Sequence, residues 1–175
     1  MTELIIFVLL IYIVMSVVLY TLKIGISPMF SSSKVTAFIL QKINIYDKNT
    51  IIDLGSGWGL FTYIVAKNNP NKKVIGYELS PFPFYFSILI KTIFQIKNLN
   101  FYRKDFLKIE FSSDVLYYAY LFPKGMENLE NKIVQSDQKL LLLSSTFALP
   151  KEKAFAKNIL DDLFKTPIYT YKINH

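Results

Sequence analysis

The chain contains no cysteine and a single histidine, His175. The first absence excludes a disulfide scaffold, a thiolate nucleophile and any cysteine metal site. The second excludes a histidine-based catalytic triad or zinc cluster. Chemistry must therefore run on carboxylates, hydroxyls, lysines, backbone groups or a borrowed cofactor. Internal repeats and low-complexity tracts are also missing. Charge is absent from one long stretch: residues 4–22 (LIIFVLLIYIVMSVVLYTL) carry none, and Ser16 and Thr21 are the polar side chains there apart from the tyrosines.

What is present is apolar and basic. At 175 residues the length fits one domain. Hydrophobic residues make up 52% and the mean hydropathy is +0.31, too apolar for a disordered chain or an ordinary soluble one. Residues 4–22 are the local source. As a helix they reach about 28 Å, close to the ~30 Å hydrocarbon core of a bilayer. They show no polar stripe of the kind a surface helix carries. A cleaved signal peptide is the competing reading, but Met1, Thr2 and Glu3 give no basic n-region and no small-x-small site follows. The expectation is a retained single transmembrane span over 1–23. Glu3 precedes it while Lys23, Lys34 and Lys42 follow, which puts the N-terminus outside and the larger part on the cytoplasmic side or its organellar equivalent. The net charge is +7, and every basic residue lies in 23–175. That favours anionic headgroups; with no RNA-binding signature, no nucleic-acid partner is expected.

Beyond the span, 24–33 reads as a connector with Pro28 and a serine run, and 34–43 as a short helix capped by Ser33. Together, 24–43 form a segment expected over the cofactor site, and 44–175 the catalytic domain. Strands are predicted at Thr50–Leu54, Lys73–Tyr77, 100–103, 115–120, 139–147 and 168–173. Helices are predicted at 60–67, 83–97, 124–135 and 151–164. Strand–helix alternation with continuous apolar strands gives an α/β fold, a mainly parallel sheet with helices on both faces.

The most informative run is Ile51-Ile52-Asp53-Leu54-Gly55-Ser56-Gly57-Trp58-Gly59. A strand enters a turn with glycines at alternate positions, and a helix follows whose N-terminus offers free N–H groups. Such a loop suits an adenosine-containing cofactor across the carboxyl ends of the strands. The dinucleotide spacing G-x-G-x-x-G fails at Leu60, which leaves a nicotinamide dehydrogenase as the least favoured option. The next strand ends in Glu78, 21 residues after Gly57, where an acid can accept both ribose hydroxyls; the plain alternative is a solvated strand-end acid. Asp105 follows the third strand, where alone it would be a surface turn residue. Tyr117, Tyr118, Tyr120 and Phe122, with Pro123 beside them, end the fourth strand. They are placed to line an aromatic pocket or to fill the core.

Taken together these residues resemble the small membrane-anchored class I methyltransferases that include the lysine methyltransferases of the mitochondrial ATP synthase c subunit and the ADP/ATP carrier. The resemblance rests on the connector 28–34 and on Ile52-Asp53-Leu54-Gly55-Ser56-Gly57. It continues in Gly76-Tyr77-Glu78-Leu79-Ser80-Pro81, Phe101-Tyr102, Asp105 and Leu121-Phe122-Pro123. Leu129-Glu130-Asn131-Lys132 and Phe147-Ala148-Leu149-Pro150 complete it. It implies a Rossmann-like class I fold and S-adenosylmethionine as cofactor. The implied cofactor site is Asp53, Gly55, Ser56, Gly57, Gly59, Glu78, Leu79, Asp105 and Phe106. Asp53 would hold the amino-acid end and Asp105 the adenine amino group. The acceptor pocket would fall at Tyr118, Tyr120, Phe122 and Pro123, with 28–33 as a lid. No metal is implied. The family's loop continues Gly-Ser-Gly-Asp-Gly-Arg, whereas this chain has Trp58 and Leu60. Trp58 then packs either on the cofactor or on a neighbouring helix. Three functions follow: methylation of a membrane-protein lysine, methylation of a lipid-like or small hydrophobic acceptor, and a non-catalytic scaffold factor.

Overall fold

In the computed structural model, residues 1–24 and 31–174 are described, except for the side chains at positions 9, 13, 16, 17 and 20–24. Helix α1 (Thr2–Ile24) leads into α2 (Ser33–Tyr46), β1 (Thr50–Leu54), α3 (Leu60–Asn68), β2 (Lys73–Tyr77) and α4 (Pro81–Ile93). Then come β3 (Leu99–Tyr102), a 3-10 turn at Phe106–Lys108, β4 (Val115–Ala119), α5 (Pro123–Val134) and β5 (Leu140–Ser145). The strands β6 (Ala156–Ile159) and β7 (Pro167–Ile173) complete the chain.

The seven strands form one sheet in the order β3-β2-β1-β4-β5-β7-β6. The first five pair in parallel, and β7 inserts antiparallel between β5 and β6. Strand period 2 sends alternate side chains to opposite faces. Ile52, Leu54, Tyr117, Ala119, Leu140, Leu142 and Tyr171 join Met126, Leu129 and Ile133 of α5 in one core. Ile51, Val74, Leu116, Tyr118, Leu141 and Leu143 meet α2 and α3 in the other, through Ile39, Ile43, Phe61 and Val65. The α/β class and parallel sheet follow the sequence expectation.

Three expectations are corrected. Residues 151–164 are not a helix: 156–159 form edge strand β6, paired to β7 from Ala156↔Thr170 to Ile159↔Pro167. The apolar spacing Ala154, Phe155, Ile159, Leu160 mimics helical period, but the open edge of β7 offers backbone partners that outweigh it. Helix α2 starts one residue early, with Ser32 rather than Ser33 as N-cap, its Oγ accepting from Val35 N–H at 3.2 Å. Helix α4 runs 81–93, not 83–97, because Pro81 suits the first helical turn and Gln95 takes a positive φ of 50°.

Helix α1 is a continuous 23-residue element that contacts α4 through an edge-on Tyr12–Phe82 ring pair at 5.7 Å. Among the described residues, no helix is long and apolar enough to cross a membrane. The expected span is therefore present as a helix but not established as a membrane crossing.

Two glycines let the layers close. A Cβ on Gly76 would sit 2.6 Å from the Phe101 ring and 2.8 Å from Ser56 Cβ; one on Gly59 would sit 2.6 Å from Ser87 Cβ. Gly76→Ala should destabilise the protein by about 1–3 kcal/mol through overpacking. In urea unfolding, the added Phe101→Leu change should recover part of that loss.

Candidate active site

The carboxyl ends of β1 and β4 and the start of α3 enclose a cavity of about 150 Å³. Its wall includes Ser31, Thr36, Asp53, Gly55, Ser56 and Trp58. Gly59, Leu60, Phe61, Ile64, Tyr118 and Tyr120 complete it. Of the candidate cofactor residues, Asp53, Gly55, Ser56 and Gly59 reach this wall; of the acceptor candidates, Tyr118 and Tyr120 do.

Asp53 is the last residue but one of β1 and is 4% exposed. Its Oδ2 accepts a 2.6 Å hydrogen bond from Thr62 Oγ1, one turn into α3. Burial pushes its carboxyl from 3.8 up to about 7; the Thr62 bond opposes this and the nearby Glu78 charge adds to it. Thr62 was not singled out from sequence, although a threonine in the first turns of α3 facing the preceding strand is the available signal.

The glycine loop is held by its own hydrogen bonds. Gly55 and Gly57 take φ values of 100° and 53°, the left-handed region that glycine enters without a Cβ penalty. Several loop N–H groups are occupied. Those of Gly55 and Ser56 donate to the Tyr77 carbonyl at 3.0 and 2.9 Å, and that of Gly59 donates to the Ser56 carbonyl at 2.9 Å. Gly57 N–H donates to Glu78 Oε2 at 2.9 Å, and Ser80 N–H to Glu78 Oε1 at 2.7 Å. Glu78 thus ties the loop to the β2–α4 turn and lies outside the cavity wall. Burial raises its carboxyl pKa, against backbone donors at Ser80, Gly57 and Leu79 that lower it. What faces the cavity instead is the first turn of α3, whose N-cap, Gly59, has no side chain to satisfy it.

Other candidates are dispersed. Asp105 caps the 3-10 turn, accepting from Leu107 N–H at 2.9 Å. The Phe106 ring is buried in the α5-side core, so its side chain does not reach the cavity. Leu79 is half-buried, and its carbonyl accepts from Arg103 Nε at 3.4 Å. Phe122 pairs edge-on with Phe147 at 6.1 Å, and Pro123 opens α5 on the exposed surface. Tyr117 was placed among the pocket aromatics, but strand alternation turns it to the opposite core, where its hydroxyl accepts from Ser112 N–H at 2.9 Å.

Tyr118 points the other way. Its ring lies 4.2 Å from that of Phe61, and its hydroxyl bonds Ser31 Oγ at 3.0 Å and Ser145 Oγ at 2.9 Å. Burial drives its pKa well upward, so it stays a neutral phenol. Ser31 brings the connector to the cavity wall; residues 28–30 of the expected lid lie outside the described residues. Trp58 meets Phe86 of α4 edge-on at 5.3 Å, the helix contact, and also lines the cavity.

The cavity fits the amino-acid end of a sulfonium cofactor. A buried carboxylate on one side suits an ammonium, and an unsatisfied helix N-terminus on the other suits a carboxylate. The buried Ser56 hydroxyl has no partner among the described residues and sits in the same wall. Fold and cavity together describe a class I methyltransferase. Residues 53–156, more than half the chain, match the model of the ANTKMT methyltransferase domain, and the chain belongs to that family. Its methyl donor is S-adenosylmethionine.

Two solved structures share the fold. An RNA methyltransferase from Salinibacter ruber, in complex with S-adenosyl-L-homocysteine, superposes with a TM-score of 0.70 at 17% identity. The match covers 83% of this chain and 94% of that one. A methyltransferase from Geobacter sulfurreducens gives 0.65 at 10% identity over 92% and 90%. No curated protein matches the chain.

Asp53 also sets a pH dependence. Its native pKa lies above the unfolded value, so its contribution to stability is intact below about 3.8 and is lost as pH rises through about 7. The loss is on the order of 4 kcal/mol. Without cofactor, Asp53→Asn should therefore unfold at higher urea than the native chain at pH 8 and show no such gain at pH 4. Equal midpoints at both pH values would mean that Asp53 titrates as an ordinary carboxyl.

Proposed function

We propose that this chain is a membrane-tethered methyltransferase whose acceptor is a lysine side chain on a membrane protein. The observation that carries the reading is the cavity itself. Asp53 and the first turn of α3 are oriented to grip the cofactor's amino-acid end, while Tyr118, Tyr120 and Trp58 form an aromatic wall beside it. The cofactor supplies an electrophilic methyl group on a sulfonium that is its own leaving group. The protein's work is then alignment, which can contribute about 7–11 kcal/mol in the best intramolecular cases.

A lysine acceptor must arrive neutral, and its free pKa is about 10.4. A water-poor aromatic cleft lowers that value by desolvation and favours the methylammonium product through cation–π contact. Glu78 would accept the ribose hydroxyls through lone pairs left by its two backbone bonds, and Asp105 would receive the adenine amino group.

Helix α1 supports the tether. The charge-free run 4–22 of the sequence, about 28 Å as a helix, comes close to the ~30 Å hydrocarbon core of a bilayer. The basic residues after it favour the cytoplasmic or equivalent side for the catalytic part. Sharing a bilayer with the acceptor raises its effective concentration. A lipid-like acceptor is the second reading, favoured by the apolar cleft rim at Leu60 and Ile64, 39% and 37% exposed.

Purified protein given methyl-labelled S-adenosylmethionine and native membranes should label protein bands. Label confined to the organic extract would assign a lipid acceptor, and no label with no heat of cofactor binding would assign a scaffold. Asp53→Asn should weaken cofactor binding about 10–100-fold, the worth of a charge-assisted hydrogen bond. Native affinity should fall as pH drops below about 7, because the proton on Asp53 must leave before an ammonium can pair with it.

A further inference from the structure

Helix α4 carries a broad apolar stripe outward. Phe82, Tyr85, Phe86, Leu89 and Ile93 fall within one stripe about 100° wide. Tyr85, Leu89 and Ile93 are 62%, 54% and 61% exposed. The inward positions are Pro83, Ser87 and Ile90, with Phe84 and Ile88 packed against the α2- and α3-side core, so the helix is apolar on both faces. Surface helices of water-soluble proteins turn a polar face outward, and a continuous apolar patch of this kind marks an interaction surface.

Two contacts say what the stripe continues into. At one end Phe82 meets Tyr12 of α1. Leu4, Ile5, Ile6, Phe7, Leu10 and Ile11 of that helix are 48–66% exposed. Partway along the helix Phe86 meets Trp58, which lines the cofactor cavity. A protein groove covers one side of a helix, whereas α1 presents apolar side chains around its whole girth. Lipid is the solvent that satisfies every side at once. Aromatic residues along the stripe suit the headgroup boundary, and the net charge of +7 suits anionic headgroups.

We propose that the outer face of α4 lies in the headgroup layer of a lipid bilayer, extending the apolar surface of α1 and holding the Trp58 side of the cavity against the membrane. The acceptor group then enters from the interface rather than from bulk water. This rests on the tether proposed above.

Trp58 is the only tryptophan, so it reports its own depth. The full chain is reconstituted into phosphatidylcholine–phosphatidylglycerol vesicles with and without lipids brominated near the headgroup end of the acyl chain. Flotation with the vesicles reads the tether; loss of Trp58 fluorescence to the bromolipid reads the α4 face. The native chain should float and lose fluorescence, equally at all lipid-to-protein ratios. Leu89→Glu with Ile93→Glu should float as well and keep its fluorescence, while Ile93→Leu should behave as native. Flotation without quenching of the native chain overturns the α4 inference and leaves the tether standing. Failure to float removes both. Quenching that appears only on dilution assigns the stripe to a second copy of the chain and also overturns the inference.

Discussion

Two carboxylates buried at the ends of neighbouring strands govern the rest of this structure. Asp53 and Glu78 are each 4% exposed, and both have raised pKa values because burial disfavours their charged forms. Their hydrogen-bonding partners are a hydroxyl and backbone N–H groups, and no cation is among them. The two acids divide the labour. Glu78 spends its oxygens on the N–H groups of Gly57 and Ser80 and so fixes the shape of the loop. Asp53 keeps its face on the cavity, where Thr62 Oγ1 donates to it. An uncompensated buried acid weakens a fold and prepares it for a cationic ligand.

The far edge of the sheet serves the same site indirectly. Strand β7 inserts between β5 and β6, and the turn after β6 brings Asp161 and Asp162 to the start of α2. The Lys34 ammonium bonds the Asp161 carbonyl, and Ser32 Oγ donates to Asp162 Oδ2 at 3.5 Å. Asp162 in turn accepts from Thr166 N–H and Oγ1 at 2.8 and 2.7 Å. This pins the residues just before α2, where Ser31 reaches the Tyr118 hydroxyl at the cavity wall. A segment that reads as a helix in the sequence is instead the brace of the cofactor chamber. Local periodicity could not show this, because the deciding partner is the unpaired edge of β7, distant in sequence.

The parallel sheet and its strands were legible because buried strands leave continuous apolar runs whose ends fall at Gly, Pro and Asn. The strand-end acids stood out as well, but their sequence positions did not show that Glu78 would spend its oxygens on the N–H groups of Gly57 and Ser80. Side-chain direction was harder to read. Tyr117 and Tyr118 are adjacent and equally aromatic, yet one reaches Ser112 in the α5-side core and the other the cavity. A one-residue shift in strand phase would exchange them. The roles of the glycines were also hidden: Gly59 and Gly76 make room for Ser87 and Phe101, a matter of layer packing that spacing does not record.

Trp58 and Leu60 depart from the family's polar loop, and they occupy positions that make the departure coherent. Both line the cavity, and Trp58 joins it to α4 through Phe86. Replacing an acid and an arginine with two apolar side chains removes water and charge from the rim and lowers the local dielectric. A lower dielectric strengthens the grip of Asp53 on an ammonium, and for the lysine acceptor proposed above it would also weaken the amine's hold on its own proton as the amine passes between Trp58 and Tyr120. On that proposal the apolar loop would serve cofactor binding and acceptor activation alike, next to the apolar stripe of α4 that Phe86 joins to Trp58.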